Sequence, residues 1–261
     1  MTMITSSQNP KIKLVRALLG HAKERREAGA FVVEGVRLIE EAVSRDWKFR
    51  FALYDSSLNT RGSSLVEHLL SRGVDVEEVS ERLMRSLSDT ETPQGILAVL
   101  ALTQLPVDDF PGFILILDKI RDPGNLGTLL RTAAAAGVQA VLLPPETTDA
   151  FSPKVVRAGM GAHFRLLIRP MRWEKIHREI EGLPVYLADM DGTPYWEADL
   201  REPLVLIVGS EAEGASDEAR ELATQTISVP MSGEMESLNA GVAGSVLMFE
   251  VVRQRMKHKG H

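Results

Sequence analysis

Residues 114–137 read ILILDKIRDPGNLGTLLRTAAAAG, and this stretch decides the fold. Ile114–Leu117 is a continuous apolar run, short enough for a buried strand. Asp122–Pro123–Gly124–Asn125 is a dense turn signal. Leu126, Leu129, Leu130 and Ala133 then recur at helical spacing, with Asn125 expected as the N-cap. Two readings stand side by side. One is an ordinary strand, turn and helix with a solvated Arg131. The other notes that Asp122, Asn125 and Arg131 gather where a strand ends and a helix begins, where open α/β sheets place ligands.

A chain of 261 residues suggests about two domains. Its 44% apolar and 25% charged residues are those of a globular protein. The absence of cysteine excludes disulfides and Cys-ligated zinc and suits a reducing cytoplasm. Only His258 and His261 lie close together among the histidines, so no metal site is expected. MTMITSSQNPKIK lacks the apolar core of a secretory signal, and no run reaches the roughly 20 residues of a membrane helix. The net charge of −6 argues against a polyanionic partner, but its distribution argues back. Residues 1–50 hold ten Lys and Arg against six Asp and Glu, a basic end on an acidic protein.

Upstream, Lys11–Arg26 reads as one basic helix whose apolar face is Ile12, Val15, Leu18 and Leu19. Strands are expected at Phe31–Val33, Phe49–Tyr54, Val74–Val79 and Gly95–Leu102. Helices are expected after Gly35 and over Leu65–Leu70 and Glu81–Ser88. This alternation makes a small α/β domain over residues 1–103, followed by a linker at 104–112 and a second domain at 113–261.

Downstream, Ala140–Leu143, Arg165–Arg169 and Val185–Ala188 read as strands, and Trp173–Glu181 as a helix. Ser152 precedes Pro153 as the cap of another helix. GMGAHF, at 159–164, lacks the third glycine and the preceding strand of a dinucleotide fingerprint and is rejected. Leu204–Val208 is a second buried apolar run, and Gly209–Ser210–Glu211–Ala212–Glu213–Gly214 follows it without the Gly-Lys-Ser/Thr of a phosphate loop. Ile227–Met231 is a last short strand. A long helix then runs to about Arg255, capped by Ser237 or Asn239. Its small residues Ala240, Gly241, Ala243 and Gly244 require close approach of another backbone, because each helical glycine costs roughly 1 kcal/mol against alanine. Packing within one subunit, packing in a dimer interface and packing around a cofactor all satisfy that.

DPGNLGTLLRTA, LIVGSEAEGAS and ISVPMSGEMESLNAGVAGSVLMFE resemble, in order and spacing, the three signatures of the SpoU (TrmH-like) branch of the SPOUT RNA methyltransferases. The first domain resembles that family's ribosomal-protein-like RNA-binding partner. The matching residues are Ser7–Lys11, Arg25–Arg26, Phe31–Gly35 and Thr92–Gly95. The resemblance implies a small α/β RNA-binding domain followed by a parallel-sheet α/β domain with a C-terminal trefoil knot. It implies methyl transfer from S-adenosylmethionine to a ribose 2′-hydroxyl of RNA by a cytoplasmic homodimer with no membrane part. The donor would be held near Gly209, Gly214, Val229, Met231 and Leu238.

The family's polar signature positions fall on Asn125, Arg131, Glu211, Ser237 and Asn239. Arg131 matches the arginine proposed in the family as general base. A guanidinium holds its proton far above neutral pH, so fixing the target phosphate with its planar fork is the alternative. Glu211 would orient Arg131, while Asn125, Ser237 and Asn239 would position the ribose or the loops. Lys11, Lys13, Arg16, Arg25, Arg26 and Arg37 of the first domain are expected to contact RNA. In the family that the chain resembles, the first domain accompanies enzymes of ribosomal RNA and is often lacking in those of transfer RNA, so the resemblance implies large-subunit ribosomal RNA over transfer RNA. The rival from another class is a non-catalytic RNA-binding or ribosome-assembly protein on the same fold. A conventional Rossmann methyltransferase is disfavoured, since no glycine-rich loop follows an early strand.

Overall fold

The computed structural model describes residues 3–88, 93–102, 112–210, 213–232 and 238–258, with side chains to Met256. The described residues fall into two compact units. One lies within Met1–Thr103 together with Phe151–Phe164. The other lies within Gln104–Ala150 together with Arg165–His261. The expected linker lies, apart from Gly112, outside the described residues.

The first unit begins with α1 (Pro10–Gly20), started by Asn9, whose side chain accepts from Lys11 N at 2.8 Å. Ile12, Val15 and Leu18 are fully buried on one face of α1, and Leu19 packs partly buried beside them. Burial of each such side chain contributes about 1.5–3 kcal/mol. The single helix expected over Lys11–Arg26 is two. His21 is extended, and α2 (Ala22–Ala28) follows, closed by left-handed Gly29. Glycine at position 20 weakens the helix, and the Arg25 guanidinium donates to the carbonyls of Leu18 and Leu19 at its end.

Next come β1 (Ala30–Glu34), α3 (Val36–Ser44), β2 (Phe49–Tyr54), α4 (Thr60–Ser71), β3 (Val76–Glu78), α5 (Glu81–Leu87) and β4 (Ile96–Ala101). The sheet order is β1-β4-β2-β3, with β4 antiparallel to both neighbours and β2 parallel to β3. Two of the signature pieces meet in this unit. Gln94 Oε1 accepts from Val36 N at 3.1 Å, and a side chain at Gly35 would collide with it.

The chain continues with β5 (Phe113–Leu117), α6 (Pro123–Ala135), β6 (Ala140–Leu143), α7 (Pro153–Gly159), β7 (Leu167–Pro170), α8 (Trp173–Glu179), β8 (Val185–Pro194), β9 (Leu204–Val208), α9 (Asp217–Leu222), β10 (Gln225–Ser228) and α10 (Ala240–His258). The segment carrying α7 belongs to the first unit. There Phe151 meets Phe31 at 5.0 Å between ring centroids, and Phe164 meets Trp47 at 5.2 Å. Ser152 occupies the N-cap position of α7, but its side chain makes no capping bond.

The second unit is one parallel sheet in the order β10-β8-β9-β5-β6-β7. Every residue of β5 and β9 is buried, which is why both read as unbroken apolar runs. Asn125 is not the cap of α6. Asp122 is, its carboxylate accepting from Asn125 N at 2.8 Å, because Pro123 takes the first helical position, where its missing N–H is tolerated. The path of the chain through 233–237, on which the expected knot depends, lies outside the described residues.

The small face of α10 is used inside the unit. A Cβ on Gly244 would lie 2.5 Å from Leu129 Cδ2 and 3.2 Å from Val208 Cγ2, so this glycine seats α10 against α6 and β9. Thr132 Oγ1 and Ser245 Oγ lie 3.0 Å apart across the same contact. The placement of these small residues in a subunit interface is therefore corrected: Gly241 and Gly244 are buried against their own unit.

Candidate functional site

In a parallel sheet every strand delivers its backbone to the same edge, and loops leaving that edge build the site. Here the C-terminal ends of β8, β9 and β10 and the first turns of α10 enclose a cleft of about 400 Å³. Gly209, Gly214, Val229, Met231 and Leu238, the five residues expected around the donor, all line it. None of residues 114–137 does.

Backbone dominates the wall at the end of β9. Ser210 and Gly214 bond each other in both directions, N to O, at 3.0 and 2.9 Å. A Cβ on Gly209 would stand 2.8 Å from Ala215 N and 2.9 Å from Gly214 O, so only glycine lets the turn fold back on itself. Glu211, between these residues, and Ser237 lie outside the described residues.

Asn239 stands at the start of α10. Its Oδ1 accepts from Val242 N at 3.2 Å, and its Nδ2 donates to Asn125 Oδ1 at 3.0 Å. Two of the sequence-selected polar residues, one on α6 and one before α10, are thus brought together. Arg131 lies on the exposed side of α6, and its guanidinium has no ion-pair or hydrogen-bond partner among the described residues.

Sequence reading missed the acidic edge of the cleft. Asp189 and Asp191 line it, with Asp189 paired to Arg220 at 2.8 Å. The reading ended β8 at Ala188, whereas the strand runs on to Pro194. The signal was available: Asp-Met-Asp-Gly directly follows an apolar run, as Gly209–Gly214 does. At the far end of α10, Arg255 donates to the carbonyls of Gly112 and Glu202 at 2.8 Å each, and burial pushes its pKa down.

The basic residues of the first unit separate into two groups. Lys13, Arg16, Arg26 and Arg37 are exposed. Arg25 is 4% exposed and spent on the carbonyls ending α1, so its assignment to RNA is corrected. Lys11 is held by Asp75 and Glu77. Partial burial works against its charge, but the hydrogen bonds it donates to those carboxylates, together with their charge, outweigh it and raise its pKa. No group of three or more metal-ligating side chains occurs among the described residues, nor any helix long and apolar enough to cross a membrane.

Comparison with known proteins adds the following. Residues 112–249 match the SpoU rRNA Methylase family, and residues 9–98 match the MRM3-like substrate binding domain. The chain is 34% identical to the 23S rRNA (guanosine(2553)-2′-O)-methyltransferase RlmP of Bacillus subtilis, over 96% of this chain and 99% of that one. It is 33% identical to the 23S rRNA (uridine(2479)-2′-O)-methyltransferase of Streptomyces viridochromogenes, over 96% and 92%. The crystal structure of an rRNA methyltransferase from Sinorhizobium meliloti with AdoMet bound superposes with a TM-score of 0.85 at 32% identity, covering 97% of each chain.

Proposed function

The chain belongs to the SpoU rRNA methylase family, and we propose that it transfers a methyl group from S-adenosylmethionine to a ribose 2′-hydroxyl of large-subunit ribosomal RNA. The observation that carries this is the cleft at the ends of β8, β9 and β10, with the paired Asn125 and Asn239 at the start of its α10 wall. Its volume, its backbone wall at Gly209–Ser210 and its apolar side from Val229, Met231, Leu238 and Leu247 fit a cofactor of that size. When bound, the donor supplies a methyl group already activated on a sulfonium sulfur.

The chain has two tasks: to align the hydroxyl oxygen with that methyl, and to remove a proton. Arg131 is assigned to alignment. Exposed and unpaired among the described residues, it offers a planar donor fork to an RNA phosphate. Asn239 and Asn125 fix the start of α10 against α6 and so hold one wall of the site. Glu211 and Ser237 complete the polar set on family likeness alone. A C-terminal trefoil knot is part of the same reading, supported by family membership.

The matched regions support division along the sequence into an RNA-binding domain at 1–103, a linker at 104–112 and a methyltransferase domain at 113–261, of which residues 151–164 belong to the first compact unit. Lys13, Arg16, Arg26 and Arg37 supply phosphate contacts, and RNA affinity falls steeply as salt rises. Removing residues 1–105 would strip Phe151 and Phe164 of Phe31 and Trp47, so point variants are the cleaner probe. The protein works in the cytoplasm, where its RNA resides.

A homodimer is part of this reading, through a different face of α10 from the glycines. Val242, Phe249 and Met256 are 49%, 50% and 70% exposed and recur every seven residues, one apolar stripe on one helix. Phe249→Glu is expected to convert a dimer into a monomer at micromolar concentration without lowering donor affinity. Light scattering that finds the wild-type protein monomeric overturns the dimer.

The test of function has two arms. S-adenosylmethionine at 100 times its Kd should stabilise the folded state by about 2.7 kcal/mol, seen as a rise in melting temperature. Ribose methylation mapped across total RNA, with and without the enzyme, should show a new mark in large-subunit ribosomal RNA. Donor binding with no mark anywhere would favour the non-catalytic rival, and a mark confined to transfer RNA would reassign the substrate.

A further inference from the structure

We propose that Asp118 and Arg121, outside the family's polar signature set, are positioning residues that hold the two ends of the turn after β9, Gly209–Ser210 and Glu213–Gly214, in their cofactor-binding form; this rests on the donor reading of the cleft. A wall made of backbone has no side chains with which to adapt. Its shape is set by whatever anchors the chain on either side, and both anchors come from the β5–α6 loop.

The inner anchor is Asp118. It follows β5 directly, is 0% exposed, and its backbone N bonds Val208 O at 2.9 Å, the last carbonyl before Gly209. Its Oδ2 accepts from Ser216 N at 2.7 Å, where the turn ends and α9 begins. One residue thus ties both ends of the turn. Its Oδ1 is buried with no hydrogen-bond partner among the described residues. A buried carboxylate so thinly satisfied is unfavourable for folding. An apolar side chain there would pack as well but could not accept from Ser216 N.

The outer anchor is Arg121. Its guanidinium grips Glu213, in the turn, at 2.6 and 3.3 Å, and Glu146, after β6, at 3.0 Å. Lys119 adds a longer approach to Glu213 at 3.9 Å. Lys119 and Glu146 both adopt the left-handed backbone, at φ +53° and +69°, which non-glycine residues rarely adopt. The strain is concentrated where the charges converge. One residue beyond Arg121, Asp122 caps α6, which carries Asn125 and Arg131. The same loop therefore sets the donor's wall and the helix proposed to hold the RNA.

The experiment titrates S-adenosylmethionine into the full-length wild type and into Asp118→Ala, Asp118→Asn and Arg121→Glu. Melting temperature and methyl-transfer kinetics are measured alongside. Asp118→Ala is expected to weaken donor binding by roughly tenfold, as loss of a hydrogen bond to a charged group does. Asp118→Asn keeps an acceptor for Ser216 N and is expected to return to within about threefold of wild type. Arg121→Glu faces Glu213 with a like charge and is expected to weaken binding by about fivefold, less so at high salt. In both weakened variants the donor KM rises while kcat at saturating donor is retained. A lower melting temperature with unchanged donor affinity marks a merely structural role and overturns the proposal. If Asp118→Ala is not recovered folded, the exposed Arg121→Glu decides alone by the same criterion. A wild type that binds no donor overturns the donor reading, and this proposal with it.

Discussion

Arg131→Ala is expected to lower methyl transfer by roughly a thousandfold, the scale typical of losing one preorganised donor group from an active site. The fold should not notice. Arg131 lies on the exposed side of α6, and substitutions at such positions usually shift stability by less than about 0.5 kcal/mol. Donor affinity should also hold, because Arg131 does not line the cleft. Lysine at this position keeps the charge but replaces a rigid planar fork with a single flexible ammonium, so Arg131→Lys is expected to fall by about a hundredfold or more. Single-turnover rates at saturating donor and RNA measure both variants. Near-normal turnover by the lysine variant would remove the fork from the mechanism. Full activity in the alanine variant would remove Arg131 from it altogether.

Gly209→Ala should abolish donor binding while leaving the sheet in place. The added Cβ would meet Ala215 N at 2.8 Å and Gly214 O at 2.9 Å, and both are backbone atoms that no rotamer change can move aside. The turn must open, and with it the Ser210–Gly214 pairing that shapes the wall. We expect donor affinity to fall by roughly a hundredfold or more, with a modest loss of stability of about 1–3 kcal/mol from overpacking. Gly244→Ala is the control. Its Cβ meets side-chain atoms only, the flexible end of Leu129 at 2.5 Å and Val208 Cγ2 at 3.2 Å, which can give way where backbone cannot, so donor affinity should fall far less than in Gly209→Ala. Calorimetry on the two variants checks the contrast, and tight donor binding by Gly209→Ala would show that the turn does not form the wall.

The two glycines show where reading a sequence stops. Both are visible as unusual: one after a buried apolar run, the other in the first half of a long helix. The sequence shows that something must approach closely at each. It does not say what: Gly209 meets the backbone of Gly214 and Ala215 only once the turn has closed, and the partners of Gly244 are distant in the chain. Gly244 meets Leu129 and Val208, more than thirty residues away, and so serves a contact within the unit rather than between subunits. Arg25 teaches the same point. Among six basic residues of similar appearance it alone is buried, and only the packing of α2 on the end of α1 selects it.

What the sequence alone determined was local and periodic. Continuous apolar runs gave β5 and β9, because strands buried on both faces tolerate nothing else. Helical spacing gave α6 and α10, and three ordered signatures gave the family. The cap of α6 was misplaced by three residues, since Asp122 and Asn125 are both good caps and only the fixed backbone of Pro123 chooses between them. The site was the part left to tertiary structure. Strand order sets β9 between β5 and β8, with β10 beyond β8, so the cleft opens one strand away from the stretch around which the sequence is organised. That order also brings Asn239 to Asn125 and Ser216 to Asp118, pairs about a hundred residues apart. Local patterns fix which residues form an element. Which elements become neighbours is decided by burying all their apolar faces at once, and the chemistry sits at the junctions this creates.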